Sequence, residues 1–483
     1  MPIIGIVLLC LLGLLILLLL IACVHAVLIG RKPAPSAAPA EAQTAERTEV
    51  YAGALSRLIQ CETVNARGSD SSAKFARMRE TLAELFPRVH AELEQTLVGD
   101  ALLMKWKGKD SSRGAVALLA HSDVVEATGE WKYPPFGGEI AEGCVWGRGA
   151  MDNKGSLCAL FSAVEELLGE GFVPPCDIYI ASSNNEETMG NGAPNTVEVL
   201  KKRGVKLDLV IDEGGAVINA PMPGLSGNFA MIGVMEKGYA DVRFTARSNG
   251  GHSSTPPKNT PLVRLAAFVH DVENHSPFKK AFTPPVRAMF RELAPSMSFP
   301  FRLLFGNLWL FAPLLKAVMP MVSGQAGALL KTTCAFTMAQ GSGAPNVIPE
   351  SASVTANLRF MLHQAQDASL AALKKRAEKY DLEMEVLYSS DCSPLTDIDS
   401  ERFRFVRRCV EEVFPEAPTA PYVMLGGTDS RHYNAVCPCV VRFGPTVLTP
   451  QQLAAMHGRD ENLGVEALAR AVGFYRRVLT EYR

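Results

Sequence analysis

The hydrophobic pattern divides the chain into three kinds of segment. From Ile3 to Ile29 there is no charged residue, and a helix of that length, about 40 Å at about 1.5 Å per residue, can cross a bilayer with some tilt. Further along, short apolar runs alternate with stretches whose apolar residues recur at helical spacing, which predicts alternating strands and helices. An apolar segment interrupted by prolines follows at Phe299–Leu330. The pattern therefore predicts a membrane segment, an α/β body and an apolar insertion.

The alternation of strands and helices is clearest in residues 49–228. The runs Ala115–Ala120, Ile178–Ala181 and Leu207–Ile211 are typical of buried strands, and Leu157–Leu168 keeps a helical spacing. The pattern returns in residues 391–483, with the strand-like sequence CPCVVRF and a final helix from about Val465. We expect these two parts to form one α/β catalytic domain, with its ligands at the carboxyl ends of the strands.

Residues 229–390 follow a different order of elements, β-α-β-β-α-β, which predicts a small ferredoxin-like α+β domain. The predicted elements are the strands Tyr239–Ala246, Lys331–Gln340, Ser351–Met361 and Leu382–Tyr388, and the helices Pro261–Val272 and Ala365–Tyr380. An apolar insertion at about 275–330 interrupts this order after the first helix. The second domain is therefore predicted to be inserted into the first.

The N-terminal apolar run predicts a transmembrane anchor at residues 1–30, followed by an Ala- and Pro-rich linker at 31–48. A cleaved signal peptide followed by secretion is the alternative, with Val24-His25-Ala26 as its cleavage site. The run is longer than the usual apolar region of about 7–15 residues and has no basic start, which favours a retained single-pass anchor. Arg31 and Lys32 would place the enzyme in the cytoplasm by the positive-inside rule, but two charges leave the membrane side undecided.

Charge and cysteine content narrow the classes of protein further. The net charge of −2 provides no basic field, so nucleic acid is not an expected partner. The eleven cysteines show no CxxC pair and are predicted to be mostly buried free thiols, which favours a reducing compartment. Cys437 and Cys439 are close together but lack the second thiol pair of a structural zinc site.

Acidic and histidine side chains collect where the predicted strands end. Burying an unpaired carboxylate is costly, whereas carboxylate and imidazole groups are good ligands for a borderline cation. Asp152 in GRGAMDNKG and His457 in MHGRDEN are further candidates. The candidates at strand ends are His121, Asp123, Glu186, Glu187 and Asp212.

These residue types suit a hydrolase with two metal ions that share one carboxylate. Asp123 would orient the His121 ring, and Glu186 would act as general base toward the attacking water and then protonate the leaving amine. Each residue alone also has an ordinary explanation, such as a solvated loop, a helix N-terminus or a turn, and the sequence has neither HExxH nor G-x-S-x-G. The predicted ligands of two zinc ions are His121, Asp152 as the bridge, Glu187, Asp212 and His457.

An ordered set of motifs also resembles a known family. HSDVV, GRGAMDNKG, NNEE, DEGG, GGHSSTP, APNVIP, GGTDSRHY and MHGRDEN occur in that order between His121 and Asn462. The set resembles the dinuclear zinc metallopeptidases that include aminoacylase, carboxypeptidase G, dipeptidases and carboxypeptidase S. It is most similar to the carboxypeptidase S branch, which includes enzymes acting on N-acyl amino acids. The resemblance implies the same five zinc ligands and a zinc-peptidase fold whose inserted domain serves as a lid and dimerisation domain.

The resemblance also assigns residues to the substrate. His252 would stabilise the oxyanion, in relatives often across a dimer, while Asn346 and Arg359 would hold the substrate's carboxylate, which the planar guanidinium can bind through two hydrogen bonds. The corresponding substrate loop contains Gly426, Gly427 and Thr428, where glycine lets a ligand approach the backbone closely.

The activity implied is hydrolysis of an amide bond next to a free carboxylate, in an N-acyl amino acid or at a peptide C-terminus, or the reverse condensation. The alternative is a membrane-tethered scaffold that keeps a metal for stability, against which Glu186 argues. For Phe299–Leu330, we expect Pro313 and Pro320 to break the segment into short helices. Two roles are open for this segment. It could serve for internal packing or a dimer contact, or it could form a groove near the bilayer that receives a lipid-like acyl chain.

Overall fold

The structure, a computed structural model, describes residues 3–30, 45–66 and 70–482. Most of the predicted linker, including Arg31 and Lys32, lies outside the described residues. The helices are α1 (Ile3–Leu28), α2 (Ala45–Ile59), α3 (Ser72–Leu85), α4 (Pro87–Glu92), α5 (Lys154–Gly169), α6 (Gly192–Lys202), α7 (Pro261–Asn274), α8 (Pro284–Leu293), α9 (Phe299–Phe305), α10 (Leu308–Val322), α11 (Gly324–Ala328), α12 (Gln366–Glu378), α13 (Glu401–Val413), α14 (Ser430–Tyr433), α15 (Pro450–Ala455) and α16 (Val465–Glu481). The strands are β1 (Glu94–Val98), β2 (Ala101–Trp106), β3 (Ala115–Leu119), β4 (Glu139–Ala141), β5 (Cys144–Trp146), β6 (Ile178–Ser182), β7 (Leu207–Asp212), β8 (Val217–Asn219), β9 (Asn228–Glu236), β10 (Gly238–Arg247), β11 (Gly251–His252), β12 (Thr333–Gln340), β13 (Val347–Ile348), β14 (Ser351–Phe360), β15 (Glu383–Ser390), β16 (Thr419–Met424), β17 (Val440–Arg442), β18 (Val447–Leu448) and β19 (Asn462–Gly464).

The larger sheet is mixed and has ten strands, in the order β1-β2-β6-β3-β7-β17-β9-β8-β18, with β16 beside β9. Its central strands β6, β3, β7 and β17 are parallel, so their carboxyl ends meet at one edge. The strand predictions at β3, β6 and β7 are confirmed. These strands carry apolar side chains on both faces, because helices cover both faces of the sheet. The N-terminal strands β1 and β2 pair antiparallel at one edge of the sheet.

The smaller sheet has four antiparallel strands in the order β12-β14-β10-β15. Its strands and the helices α7 and α12 follow the predicted β-α-β-β-α-β order, and the strand order is that of a ferredoxin-like sheet. Apolar side chains of α7 and α12 pack on one face, with Phe244 and Phe268 at the centre of this second core.

Two short connections join the smaller sheet to the larger one. Glu236–Gly238 leads from β9 into β10, and Asp391–Ser393 leads back from β15. The Glu236 N–H donates to Ser393 Oγ at 2.9 Å, and the Ser393 N–H donates to the Glu236 carbonyl at 3.1 Å. Lys237 Nζ donates to the carbonyls of Ala328 and Lys331 at 3.0 and 2.9 Å, which ties the end of the insertion to the same junction.

The insertion forms α8 to α11 and packs against β9 and β16 through an apolar cluster that includes Met235 and Val423. The predicted breaks at Pro313 and Pro320 are wrong, because both prolines lie inside α10. Tertiary packing of the buried side chains of α10 compensates for the weakened helix. The chain bends instead between α9 and α10, by 101°.

By length and composition, α1 is a candidate membrane span or signal sequence, and only 6% of its most apolar window is buried in the protein. Its last turns contact α9, where Ala22 and Ala26 are fully buried. All eleven cysteines are free, and six of them are buried.

Candidate metal centre

The candidate ligands lie at the carboxyl edge of the parallel strands. His121 and Asp123 follow β3, and Glu186 and Glu187 follow β6. Asp152 comes from the turn that precedes α5, and His457 from the loop between α15 and β19. The edge therefore collects side chains from segments far apart in sequence.

The side chains form two groups that share Asp152. His121 Nε2 lies 2.9 Å from Asp152 Oδ1 and 3.3 Å from Glu213 Oε1. His457 Nε2 lies 3.0 Å from Asp152 Oδ2 and 3.2 Å from Glu187 Oε2. Within each group, the possible ligand atoms are within 4.8 Å of one another. One carboxylate thus offers an oxygen to each of the two neighbouring groups.

The structure does not bring Asp212 into either group; Glu213 takes that place. Each carboxylate oxygen of Asp212 already accepts a backbone N–H, from Glu213 at 2.9 Å and from Ser430 at 2.8 Å. Alternation along β7 explains this, because Asp212 shares a face with Val210, on the side where α14 packs. Gly214, at φ 115°, turns the chain sharply after Glu213. The alternation of side chains along β7 was the signal in the sequence that separates Asp212 from Glu213. It is easily missed, because the two acids are adjacent.

Asp123 connects the two groups through the backbone. Its carboxylate oxygens accept the N–H groups of Glu186 and Glu187, both at 3.1 Å. Its carbonyl lies 3.0 Å from His121 Nδ1, and because a carbonyl can only accept, Nδ1 must carry the hydrogen. The His121 Nε2 of a neutral ring then presents a lone pair to the other side.

The direction of this lone pair shows whether the residues fit a cation. With no cation between them, the Nε2 lone pair of a neutral His121 would face the carboxylates of Asp152 and Glu213, and these groups would repel one another. In addition, Glu187 Oε1 is buried and makes no hydrogen bond to a described residue. Imidazole and carboxylate are the ligands that zinc prefers outside thiolate sites. The donor set therefore fits two divalent cations.

The pKa values of His121, His457 and Glu213 show that the site carries more negative than positive charge. Burial lowers the pKa of His121, but the Glu213, Asp123 and Asp152 carboxylates outweigh it and the pKa is raised well above its usual value. Hydrogen bonds to Asp152 and Glu187 raise the pKa of His457 to about 10. Burial, followed by the Asp152 charge, raises the pKa of Glu213 well above its usual range.

Glu186 is the acid beside the groups that belongs to neither. Burial raises its pKa well above the usual range, and the charges of Glu213, Asp429 and Asp152 add to that effect, against His121. A carboxylate whose pKa is raised is a stronger base than an exposed one, which suits a group that exchanges protons.

Glu461 supports the turn that carries Asp152 and was not among the predicted site residues. Its fully buried carboxylate accepts the N–H groups of Met151 at 2.9 Å and Asp152 at 3.1 Å, and pairs with Arg148 at 2.7 Å. It lies in MHGRDEN, four residues after His457, so the motif holds both a candidate ligand and the support of the bridging aspartate.

Arg359 lies on β14, opposite Tyr239 of β10, with its guanidinium 4.6 Å from the centre of the tyrosine ring. Burial lowers its pKa, and the Arg431 charge acts in the same direction. Among the described residues, no carboxylate lies within ion-pair distance of Arg359. A half-buried guanidinium of this kind is available to an incoming carboxylate.

The predicted substrate loop rests on a buried ion pair. The Thr428 N–H and hydroxyl both donate to Glu236, at 3.2 and 2.9 Å. Glu236 in turn accepts from Arg442 at 2.9 Å, and both of these charged side chains are fully buried. Gly427 lies against Arg431, while Gly426 is exposed and has open space where a side chain would begin.

His252 and Asn346 lie next to each other but apart from the carboxylate groups. β11 pairs with β13, and the Ser253 N–H donates to the Asn346 carbonyl at 3.1 Å. Both side chains are exposed on a rim formed by this pair of short strands, which is a two-stranded sheet of its own. No contact of His252 with a residue of the two carboxylate groups is found in the described part of the chain.

A mixed α/β sheet with carboxylate–histidine groups at its strand ends suits a metal-dependent hydrolase. Residues 117–481 match peptidase family M20/M25/M40, and the chain belongs to that family, whose enzymes are metal-dependent and usually use zinc. The predicted family and hydrolase class are therefore confirmed.

Several relatives are similar over most of the chain. The N-fatty-acyl-amino acid synthase/hydrolase PM20D1 of Xenopus tropicalis is 34% identical, covering 87% of this chain and 84% of that protein. The probable carboxypeptidase S-like 2 of Dictyostelium discoideum is 32% identical, covering 87% and 83%. The M20 family metallo-carboxypeptidase Sso-CP2 of Sulfolobus solfataricus has the same fold, with a TM-score of 0.65 over 89% of this chain and 98% of that one, at 17% identity.

Proposed function

We propose that the protein is a dizinc hydrolase that cleaves an amide bond next to a free carboxylate, with N-acyl amino acids as its preferred substrates. The observation that carries the proposal is the pair of ligand groups that share Asp152. The relatives of the PM20D1 type, whose names specify N-fatty-acyl amino acids, support the choice of substrate. Their names also include synthase, so the same site would serve the reverse condensation.

His121, Asp152 and Glu213 would hold one zinc ion, and Asp152, Glu187 and His457 the other. When bound, the ions would polarise the scissile carbonyl and lower the pKa of water. This assignment replaces Asp212 with Glu213, since the backbone already occupies both oxygens of Asp212.

Glu186 would accept the proton of the attacking water and pass it to the leaving nitrogen. Its raised pKa suits this exchange, because a more basic carboxylate is a better acceptor of the water proton. Asp123 would keep Glu186 and Glu187 in place through their N–H groups and would fix the tautomer of His121.

Arg359, Asn346 and the loop Gly426–Thr428 would bind the substrate's carboxylate. Arg359 offers a planar donor fork that makes no ion pair with a described residue, and exposed Gly426 would let the backbone approach the ligand. The ion pair of Glu236 and Arg442 beneath Thr428 would hold this loop in position.

His252 would reach the reacting carbonyl from a second copy of the chain, with the smaller sheet as lid and dimer contact. Its exposed position on the rim, apart from the carboxylate groups, supports this arrangement. Mixing inactive His252→Ala with inactive Glu186→Gln should then restore activity, because a mixed dimer contains one intact site. Mixtures as inactive as the separate variants would contradict the arrangement.

We further propose that α1 is a retained single-pass anchor. Its contact with α9 supports retention over cleavage of a signal peptide, whereas its orientation in the membrane stays open.

The deciding experiment compares Glu213→Gln with Asp212→Asn. Elemental analysis of the wild type should give two zinc ions per chain, with turnover of N-acyl amino acids that a chelator abolishes. Glu213→Gln should lose one ion, whereas Asp212→Asn should keep both. A fully active wild type with one ion or none would contradict the dizinc assignment, and a metal-loaded protein inactive on N-acyl amino acids and dipeptides would favour the scaffold alternative.

A further inference from the structure

The end of α1 is locked to the enzyme by one buried amide. Asn307, between α9 and α10, is fully buried, and its Nδ2 donates to the carbonyls of Ala22 at 3.0 Å and Leu303 at 2.9 Å. Its Oδ1 lies 2.9 Å from His25 Nδ1. Removing α1 would leave the Asn307 side chain without two of its partners, which is unfavourable for a buried amide. The residues of the possible signal-cleavage site therefore serve as a docking site.

The part of α1 that does not dock matches the thickness of a membrane. Ile3–Ile21 has few buried side chains, and at about 1.5 Å per residue it measures roughly 28 Å, close to the roughly 30 Å of a bilayer's hydrocarbon core. The docked turns and Asn307 would then lie near one membrane surface, at the level of the lipid headgroups.

The helix that follows Asn307 is apolar on both sides. Leu308, Leu315 and Met319 are buried in the cluster against β9 and β16. On a second side, Leu314, Val318 and Met321 are 53%, 40% and 85% exposed, at helical spacings of four and three residues. A helix that is apolar all round needs an apolar environment on its outer side as well.

Trp309 lies where the two apolar surfaces meet. It is 54% exposed, and its indole N–H donates to Asn307 Oδ1 at 3.1 Å, the same oxygen that His25 approaches. Tryptophan is enriched at membrane surfaces, where an apolar ring and a polar N–H are both satisfied. Arg302 and Lys316, the charges of α9 and α10, are long enough to reach the headgroups.

We infer that α9 and α10 are embedded in the surface of a phospholipid bilayer, beside the end of α1 and continuous with its apolar surface. The bilayer is the occupant that the structure favours over a second copy of the chain, because α10 begins directly after Asn307, which binds the end of a helix of membrane length. Since α10 shares one apolar cluster with β9 and β16, the embedded surface is connected through that cluster to the strands that carry Glu236 and lead to the substrate loop.

Fluorescence of full-length protein in phosphatidylcholine vesicles tests this inference. Bromine atoms on the lipid acyl chains quench tryptophans that touch them, so brominated vesicles should lower the emission of the wild type relative to ordinary vesicles. The Trp309→Phe variant should lose that response, because the other three tryptophans lie outside the insertion: Trp106 in β2, Trp131 in the loop before β4, and Trp146 in β5. Equal emission in the two lipids, as packing or a dimer contact would give, overturns the inference, and so does unchanged quenching in Trp309→Phe.

A matched pair of variants tests the exposed side of α10. Leu314→Asp should reduce the quenching of Trp309 several-fold, because a carboxylate there opposes insertion. Met338→Asp, at a similarly exposed apolar position on β12, should leave it unchanged, and equal effects of both would contradict a specific contact through α10. Fluorescence needs neither metal nor turnover, so these outcomes are independent of the proposed reaction.

Discussion

The two halves of the candidate site are built in different ways. The metal half, around Asp152, lies at the edge of the larger sheet, and buried carboxylates hold its backbone through N–H groups. The substrate half consists of Arg359 on the smaller sheet and of His252 and Asn346 at the separate β11–β13 pair, where both side chains are exposed. The halves meet through Glu236–Gly238 and Asp391–Ser393.

This difference separates what each half can contribute. Preorganised groups around the reacting atoms lower the barrier without rearrangement, so changes in the metal half should affect the chemical step. An exposed rim on a separate sheet can move with the substrate, so changes there should affect which substrate is accepted.

The largest effect is expected at Glu186. Glu186→Gln should lower kcat by about 10²–10⁴-fold, because general-base catalysis contributes about that much. Zinc content should stay at the wild-type level, because Glu186 belongs to neither ligand group. Single-turnover kinetics with elemental analysis measures both, and near-normal turnover would show that another group is the base.

The next effect concerns the substrate half. Arg359→Ala should lower kcat/KM for substrates with a free carboxylate. The loss should correspond to about 2–5 kcal/mol of transition-state binding, the cost of removing one partner of a buried charge pair. The corresponding amides should be affected far less. Arg243→Ala, at an exposed position on neighbouring β10, is the control. Equal losses on acids and amides would show that Arg359 is structural.

A smaller effect is expected from the support of the bridging aspartate. Glu461→Gln should weaken zinc binding about 10–100-fold, as is typical for groups that orient a ligand, since it disturbs the N–H contacts that place Asp152. Titration with a competing chelator measures this change. Glu466→Gln, exposed on α16, should bind zinc like the wild type, and normal zinc binding in Glu461→Gln would contradict the supporting role.

The smallest effect concerns the junction of the two halves. Burial, aided by the charges of Arg359 and Lys331, lowers the pKa of Lys237 to about 7. Between that value and its ordinary value of 10.5, the unfolded chain binds more protons than the folded one, so this residue makes stability rise with pH across the window. The rise is at most about 1.4 kcal/mol per pH unit.

Urea unfolding near neutral pH and about two units higher, in wild type and Lys237→Met, isolates this contribution. The wild type should gain stability relative to Lys237→Met as the pH rises. Exposed Lys280→Met should follow the wild type. A parallel dependence in wild type and Lys237→Met would show that Lys237 stays charged in the folded protein.

The sequence predicts most of the metal half because parallel strands bring their carboxyl ends together, so acids after β3 and β6 had to be neighbours. It did not distinguish Asp212 from Glu213, since the choice depends on the N–H groups of α14 and on the turn at Gly214, which are set by tertiary packing. Helical spacing predicts an apolar α10, but the persistence of the helix through Pro313 and Pro320 depends on its packing against β9 and β16. His252 and Asn346 were predicted only from the order of the motifs, since no local sequence feature distinguishes His252 from any other exposed histidine.

The Asn307 contact also sets an order of events during synthesis. Asn307 follows Ala22 by 285 residues, and at about 5–20 residues per second it emerges roughly 15 to 60 seconds after α1. For that interval the His25 side chain has no Asn307 to meet, and α1 must find another environment for its apolar surface. The helix therefore has time to enter a membrane before its partner exists, and the enzyme would then complete its fold against an anchor that is already in place.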